Sequence, residues 1–443
     1  MMIPQKLNSR FVVVSLLVMA FLFRLGFGLC SEFWFEDEKQ IYLIGLKFYT
    51  TGQWPYFGPD VTNSIHIPGA LQGLMVGLPF FAFPVPEAPF LLLNAISFGA
   101  LCFFAWYCSR RLPDIPPWLI WTWLLTAPWT LNLSTQVYNP SYVLPGSILF
   151  FVGALETYPR LSLHLIPRHW ANFMMGFALC WVMQFHLSWV ILLPYLLASI
   201  YFQFRERGLD VARSVAWLAL GAALTFSFVL PTYIKFGLAG GSGGTGEVVR
   251  FNGRNLLTQW NVAEGILGRF LSLASYEMAR FLGDNTQTRL EFMRHQWWLV
   301  PVILFLGIAG ILQPIGMTIL WFKKDHSRAD WKAIKYLTLT TVALLYFSFT
   351  FSMKAPLSHT LYVTFPVVML YSLYCWHEFL ITSRRWQTFA AVFLICGIIF
   401  STGLAYDNFQ HRSLYLDRNL PKAAIERRDY RLLGTRRDES VGD

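Results

Sequence analysis

The feature that most constrains this chain is the recurrence, along almost its whole length, of apolar runs long enough to cross a bilayer. A crossing needs about 20 helical residues at 1.5 Å rise. Such runs lie near 11–30, 88–108, 117–133, 141–157, 170–186, 188–204, 211–232, 297–321, 333–352, 358–376 and 387–405. Only 14% of residues are charged against 55% hydrophobic, outside the range of soluble domains. The expectation is an all-α polytopic membrane protein of about 11 transmembrane helices.

A twelfth apolar segment, 67–83, is interrupted by Pro68, Gly69, Gly73, Gly77 and Pro79. Loop charge settles its treatment. If it does not cross, the short loops with Arg110 and Arg111, Arg160 and Arg168, Arg205 and Arg207, Lys323, Lys324 and Arg328, and Arg384 and Arg385 all share the side of Lys6 and Arg10. That is what the positive-inside rule requires, and 67–83 is therefore read as re-entrant or interfacial. The outer side then receives loop 31–87, loop 233–296 and the tail 406–443. The chain divides into an amino-terminal membrane half (1–232) holding the first outer loop, a lid-like outer loop (233–296), carboxy-terminal membrane helices (297–405) and the tail.

The net charge of +10 belongs largely to inner loops facing anionic headgroups. Neither zinc-finger spacing nor an aromatic-basic module is present, which argues against nucleic-acid binding. Cys30, Cys102, Cys108, Cys180, Cys375 and Cys396 form no disulfide framework and no metal-type pair.

The first outer loop opens on Glu36, Asp37 and Glu38, directly after the first apolar run. Ile41, Ile44, Gly45 and Phe48 follow on one helical stripe, predicting a short helix along the membrane surface. Three acids at a helix start suit its dipole and a cap. They equally suit a general base or a metal ligand. In the second outer loop a glycine-rich stretch, 237–246, reads as a hinge. Residues 255–282 then read as a helix with Leu256, Trp260, Ala263, Leu267, Phe270 and Leu271 on its packing face.

The polar groups this topology brings to the outer side near span ends are Asp37, Glu38, His66, Gln136, Asn139, Gln184, His186, Lys354 and His359. His66 and His186 suit a metal or a phosphate, although a lone interfacial histidine is more often a hydrogen-bonded residue at headgroup level. Lys354 suits a phosphate or a snorkelling role. Arg24, inside the first span, requires a partner or an aqueous outlet. Trp118, Trp121, Trp123 and Trp129 read as packing and interfacial belt.

The stretch Glu36-Asp37-Glu38-Lys39-Gln40-Ile41-Tyr42, with Tyr49-Thr50-Thr51-Gly52-Gln53-Trp54-Pro55, resembles the GT-C superfamily of membrane glycosyltransferases, in the branch of the protein O-mannosyltransferases and lipid A aminoarabinose transferases. His66-Ile67-Pro68 is similar to that branch's Lys/His-Pro-Pro strip, with Ile67 in place of a proline. Asn139 stands where many members carry a second acid. Gln184-Phe185-His186 resembles a Gln-x-His turn, and His359 to Pro366, with Tyr362, resembles the late Arg/His-Tyr segment.

The resemblance implies a polyprenyl-phosphate sugar donor and a site on the periplasmic face of a bacterial inner membrane. It also implies Asp37 as general base, with Glu38, His66, Asn139, His186, Lys354, His359 and Tyr362 around donor and acceptor. A divalent metal ion is a candidate cofactor, with Glu38, His66 and His186 as candidate ligands. It is a step from fold to function by analogy. A polytopic transporter of a lipid-linked or small polar substrate, and a non-catalytic membrane subunit, are the readings from other classes.

Overall fold

The computed structural model describes residues 5–31, 36–61, 65–237, 260–283, 285–351, 358–411 and 414–434. These residues are overwhelmingly helical, and the one sheet among them is a two-stranded hairpin, Phe57–Val61 with Ile65–Pro68. Six stretches are long and apolar enough to cross a membrane: Phe11–Ser31, Ala88–Arg111, Leu187–Phe226, Trp297–Phe322, Trp331–Phe351 and Arg384–Gln410. Their outward faces are apolar as well. Phe11, Val13, Leu16 and Met19 on the first, and Leu304, Ile308, Ile311, Leu312 and Ile319 on the fourth, are exposed. Such a jacket around a packed core suits a hydrocarbon solvent. The protein is an all-α integral membrane protein.

The remaining apolar runs form shorter helices. Pro117–Thr126 and Pro128–Ser134 are separated at Ala127, whose ψ of 135° leaves the helical region just where Pro128 removes a backbone donor. Val143–Thr157, Arg168–Met183 and Phe365–Leu380 follow suit, the first and last extended by 3-10 turns at Asn139–Tyr142 and Tyr362–Thr364. Within Leu187–Phe226, Gly208 at φ 59° ends Leu192–Arg207, and a 3-10 turn leads into Val211–Phe226. Arg168–Met183 and Val211–Phe226 touch through Gly176 and Gly221. A Cβ on either would overlap a backbone carbonyl of the other helix, Leu218 O and Phe173 O respectively. Close backbone approach through small residues is how helices associate where no hydrophobic drive separates them from lipid.

Arg24 has a set of partners that its sequence position does not disclose. It is wholly buried, and among the described residues no acid pairs with it. Its guanidinium donates to Leu125 O (2.7 Å), Thr130 O (3.0 Å), Thr130 Oγ1 (3.1 Å) and Ser134 Oγ (2.8 Å). The break at Ala127 strands the Leu125 carbonyl, which a continuous helix would pair, and Arg24 supplies its donor. Thr130 Oγ1 serves the same break through Leu124 O and Ala127 O.

Hydrogen bonds sort the connections to two ends of the bundle. At one end Arg418 bridges Glu87 (2.9 Å) and Leu29 O (3.0 Å), Gln296 meets Asp407 (2.9 Å), and Asn408 meets Ser31 (3.2 Å). The first loop, the second loop and the tail helix Leu414–Arg427 therefore share that end. At the other, Arg111 reaches Leu161 O (2.7 Å) and Asp330 (3.6 Å), and Lys323 reaches Glu378 (2.8 Å). The basic short loops thus gather together, as their charge pattern demands.

Candidate functional site

The helix that follows the first long apolar helix runs Glu36–Thr51, so Glu36, Asp37 and Glu38 are its first three residues. The side chains of Glu36 and Asp37 lie outside the described residues, as does Lys354. Glu38 is buried. The expected stripe is partly right: Ile41 and Ile44 are buried, but so are Tyr42, Leu43 and Leu46. The helix is covered on more than one face. Leu71–Ala82 packs on one side, while the end of the chain closes another through Lys47 over Tyr430 (5.9 Å) and Arg428 over Tyr49 (5.8 Å). Tyr42 is pinned to Pro86 O at 2.8 Å.

The segment 67–83 becomes the end of the hairpin and the 12-residue helix Leu71–Ala82, too short for a full crossing. The hairpin aligns His66 with Asp60 and sets its ring 5.8 Å from Phe57. Gly69, at φ 128°, has room for no side chain because Gln184 fills the space. The hairpin thereby abuts the 184–186 turn. Gln72, the first polar residue of the short helix, donates to Asn139 Oδ1 at 2.8 Å.

Across that turn His186 caps the 3-10 helix Leu187–Ile191, its Nδ1 accepting from Ser188 N (3.1 Å), and its ring stands edge-on to His359 at 6.2 Å. His359 belongs to the short helix Ser358–Leu361. Tyr362 follows, wholly buried, with its hydroxyl near Ser134.

Tyr138 connects these groups to the acid-bearing helix. Burial, then the charge of Glu38, then Tyr362 push its hydroxyl well above the usual phenol range, against the lowering effect of Arg280. Glu38, Tyr362 and Arg280 are therefore each within electrostatic reach of Tyr138. Arg280 comes from the second outer loop, where it is exposed and sits 5.5 Å over Trp129. It is absent from the set read off the span ends because it lies in a loop helix, Met278–Phe281, away from any span.

The second loop is anchored as a cover. Trp129 Nε1 donates to Ser272 O at 2.8 Å, and Ile266, Phe270, Leu271 and Tyr276 are buried beneath Trp260–Ser272 and the turn after it. Leu267, expected on the packing face, is exposed instead; Leu256 and the side chains of Trp260 and Ala263 lie outside the described residues. Of the tryptophan stripe, Trp123 and Trp129 are buried and Trp118 is exposed.

The structure thus assembles Glu38, Asn139, Tyr362, His186 and His359 with Gln72, Tyr138 and Arg280, and puts the hairpin of His66 beside them. Among the described residues no three His, Cys, Asp or Glu side chains stand close enough to hold a metal ion. Glu38, His66 and His186 accordingly form no metal centre by themselves, and no step below runs through a metal. No family model, curated protein or solved structure matches the chain, so the site's chemistry alone carries the functional reading.

Proposed function

We propose that the chain is an inverting membrane glycosyltransferase that moves a sugar from a polyprenyl-phosphate donor to a hydroxyl of a glycan, lipid or protein at the outer face. The observation that carries this reading is the convergence, at the end away from the basic loops, of an acid-led helix, Tyr138 and Asn139, the His359–Tyr362 segment and Arg280. Such a donor keeps its tail in the bilayer and brings its anomeric carbon to the surface, which an interfacial site of this composition suits.

In the reaction the acceptor oxygen attacks the anomeric carbon as the bond to the phosphate oxygen breaks, which inverts that carbon. The acceptor proton passes to the Asp37 carboxylate as general base. The electron pair of the broken bond leaves on the polyprenyl phosphate. Arg280, His359 and Lys354 are the cations that stabilise its charge, Arg280 through a fork of donors suited to phosphate. Glu38, Asn139 and His186 orient the acceptor.

Eleven crossings fit the two ends. Val143–Thr157 and Phe365–Leu380 approach bilayer length once their 3-10 extensions are counted, as does the Pro117–Ser134 pair, while Arg168–Met183 counts as a short crossing of 16 residues and Leu71–Ala82 stays interfacial. The two ends correspond to the periplasmic and cytoplasmic sides of an inner membrane. A transporter gains no support from Arg24, whose two terminal nitrogens are committed to Leu125, Thr130 and Ser134.

The test is incubation of the purified protein with radiolabelled polyprenyl-phosphate sugars, with lipid and protein fractions extracted separately. Label moving from donor into one fraction is the expected result. No transfer from any donor, alongside uptake of substrate into proteoliposomes, overturns the reading.

A further inference from the structure

The end opposite the candidate site holds a cleft of about 510 Å³ between the loops at 111–114, 160–163 and 327–330 and the end of Phe365–Leu380. Three guanidiniums, Arg111, Arg160 and Arg328, face it with two carboxylates, Asp114 and Asp330.

The arginines are not equivalent. Arg111 is wholly buried and spent on structure: it donates to Tyr374 (3.1 Å), Tyr107 (3.0 Å) and Leu161 O (2.7 Å) and meets Asp330. Arg328 pairs with Asp330 at 3.1 Å and more loosely with Asp114 at 3.9 Å. Asp114 is further held by His377 at 3.2 Å. Both carboxylates are thereby engaged, and Arg160 lines the cleft with no ion pair among the described residues.

The wall carrying Arg160 is fixed before any ligand arrives. Arg111 grips Leu161 O, Ser162 Oγ donates to Glu156 at 3.2 Å, and His164 takes a left-handed backbone at φ 56°. Leu163 and the exposed Ile381 add apolar surface to the lining. The cleft also lies at the terminus of the candidate span Ala88–Arg111.

We propose that this cleft binds an anionic phosphate group, held by the guanidiniums of Arg160 and Arg328. A guanidinium fork matches phosphate oxygens two at a time, and basic clefts between helices on the positive side of a membrane protein receive anionic headgroups. The phosphate belongs either to an anionic lipid, whose chains that apolar surface accepts, or to a soluble phosphate compound.

The experiment equilibrates the full-length protein, purified in detergent, with phosphatidylglycerol or phosphatidylcholine and reads retained lipid by native mass spectrometry. A parallel arm titrates inorganic phosphate against chloride. Arg160→Gln is compared with Arg205→Gln, a substitution at the same end but outside the cleft. Selective retention of phosphatidylglycerol, weakened roughly fivefold by Arg160→Gln and unchanged by Arg205→Gln, is the result expected for a lipid phosphate. Saturable inorganic phosphate binding with the same mutant pattern and no lipid preference supports the soluble source. Binding of neither, or equal losses in the two variants, overturns the proposal.

Discussion

Replacing Arg24 with methionine tests how a charge inside a membrane helix is kept. The substitution preserves length and apolar volume but removes four donated hydrogen bonds, two of them to the backbone carbonyls of Leu125 and Thr130. Thr130 Oγ1 and Ser134 Oγ retain carbonyl partners within their own helix, so their loss is small. The carbonyl of Leu125 is the larger cost, at about 1–3 kcal/mol for a buried acceptor left unsatisfied, because Thr130 O keeps the hydroxyl of Ser134. Loss of the buried cation returns its desolvation cost, which sets the effect toward the lower part of that range.

Thermal unfolding in detergent, followed by fluorescence-detected size exclusion, measures the change. Arg24→Met is expected to lower the midpoint by several degrees, and Arg24→Lys to fall between it and the wild type, because an ammonium has the charge without the fork. If Arg24 merely snorkels to an aqueous surface, the methionine variant retains wild-type stability. That outcome would refute the account of the Ala127 break.

Further expectations follow from other parts of the molecule. Gly221→Leu forces Arg168–Met183 and Val211–Phe226 apart, and is expected to reduce the monodisperse fraction far more than Gly99→Leu, a position with open space around it. Arg280→Gln is expected to raise the donor KM with little change in acceptor KM; an unchanged donor titration removes Arg280 from the phosphate. At the basic end, burial pushes the Glu378 carboxyl up but is outweighed by hydrogen bonds from Lys323, Ser327 and Trp331, which hold it at about 2 against an ordinary 4.5. Its folded value is the lower one, so its contribution is complete above pH 4.5 and is lost as pH falls toward 2. Glu378→Gln is expected to flatten that acid limb of the stability profile, and an unaltered limb contradicts the assignment. In a cysteine-free background, Glu291→Cys is expected to react with an impermeant reagent from outside and Lys324→Cys not; reversed labelling would invert the topology.

Charge and hydropathy were enough to separate the two ends, because a basic loop cannot be hidden and an apolar run of bilayer length has few other uses. The helix after the acids was legible from Ile41 and Ile44, whereas its cover was not. That cover comes from Tyr430 and Arg428, nearly four hundred residues away, through contacts no local period encodes. Arg24 lacked a nameable partner because its partners are neutral, the carbonyls of Leu125 and Thr130 and the hydroxyls of Thr130 and Ser134, a hundred residues on. Arg280 was missed for a different reason: a search of span ends passes over a cation in a loop helix that folds back onto Trp129. The cleft around Arg160 and Arg328 was read only as topology, since both residues satisfied the inner-loop rule before any pairing was known.

The central claim concerns Asp37, the second residue of the helix Glu36–Thr51. Its most direct test is the initial rate of sugar transfer from a polyprenyl-phosphate donor by Asp37→Asn, reconstituted beside wild type at equal folded amount. The account predicts transfer reduced by about 10²-fold or more, the usual scale for loss of a general base, with donor binding retained. Transfer at near wild-type rate by a well-folded Asp37→Asn protein would contradict it.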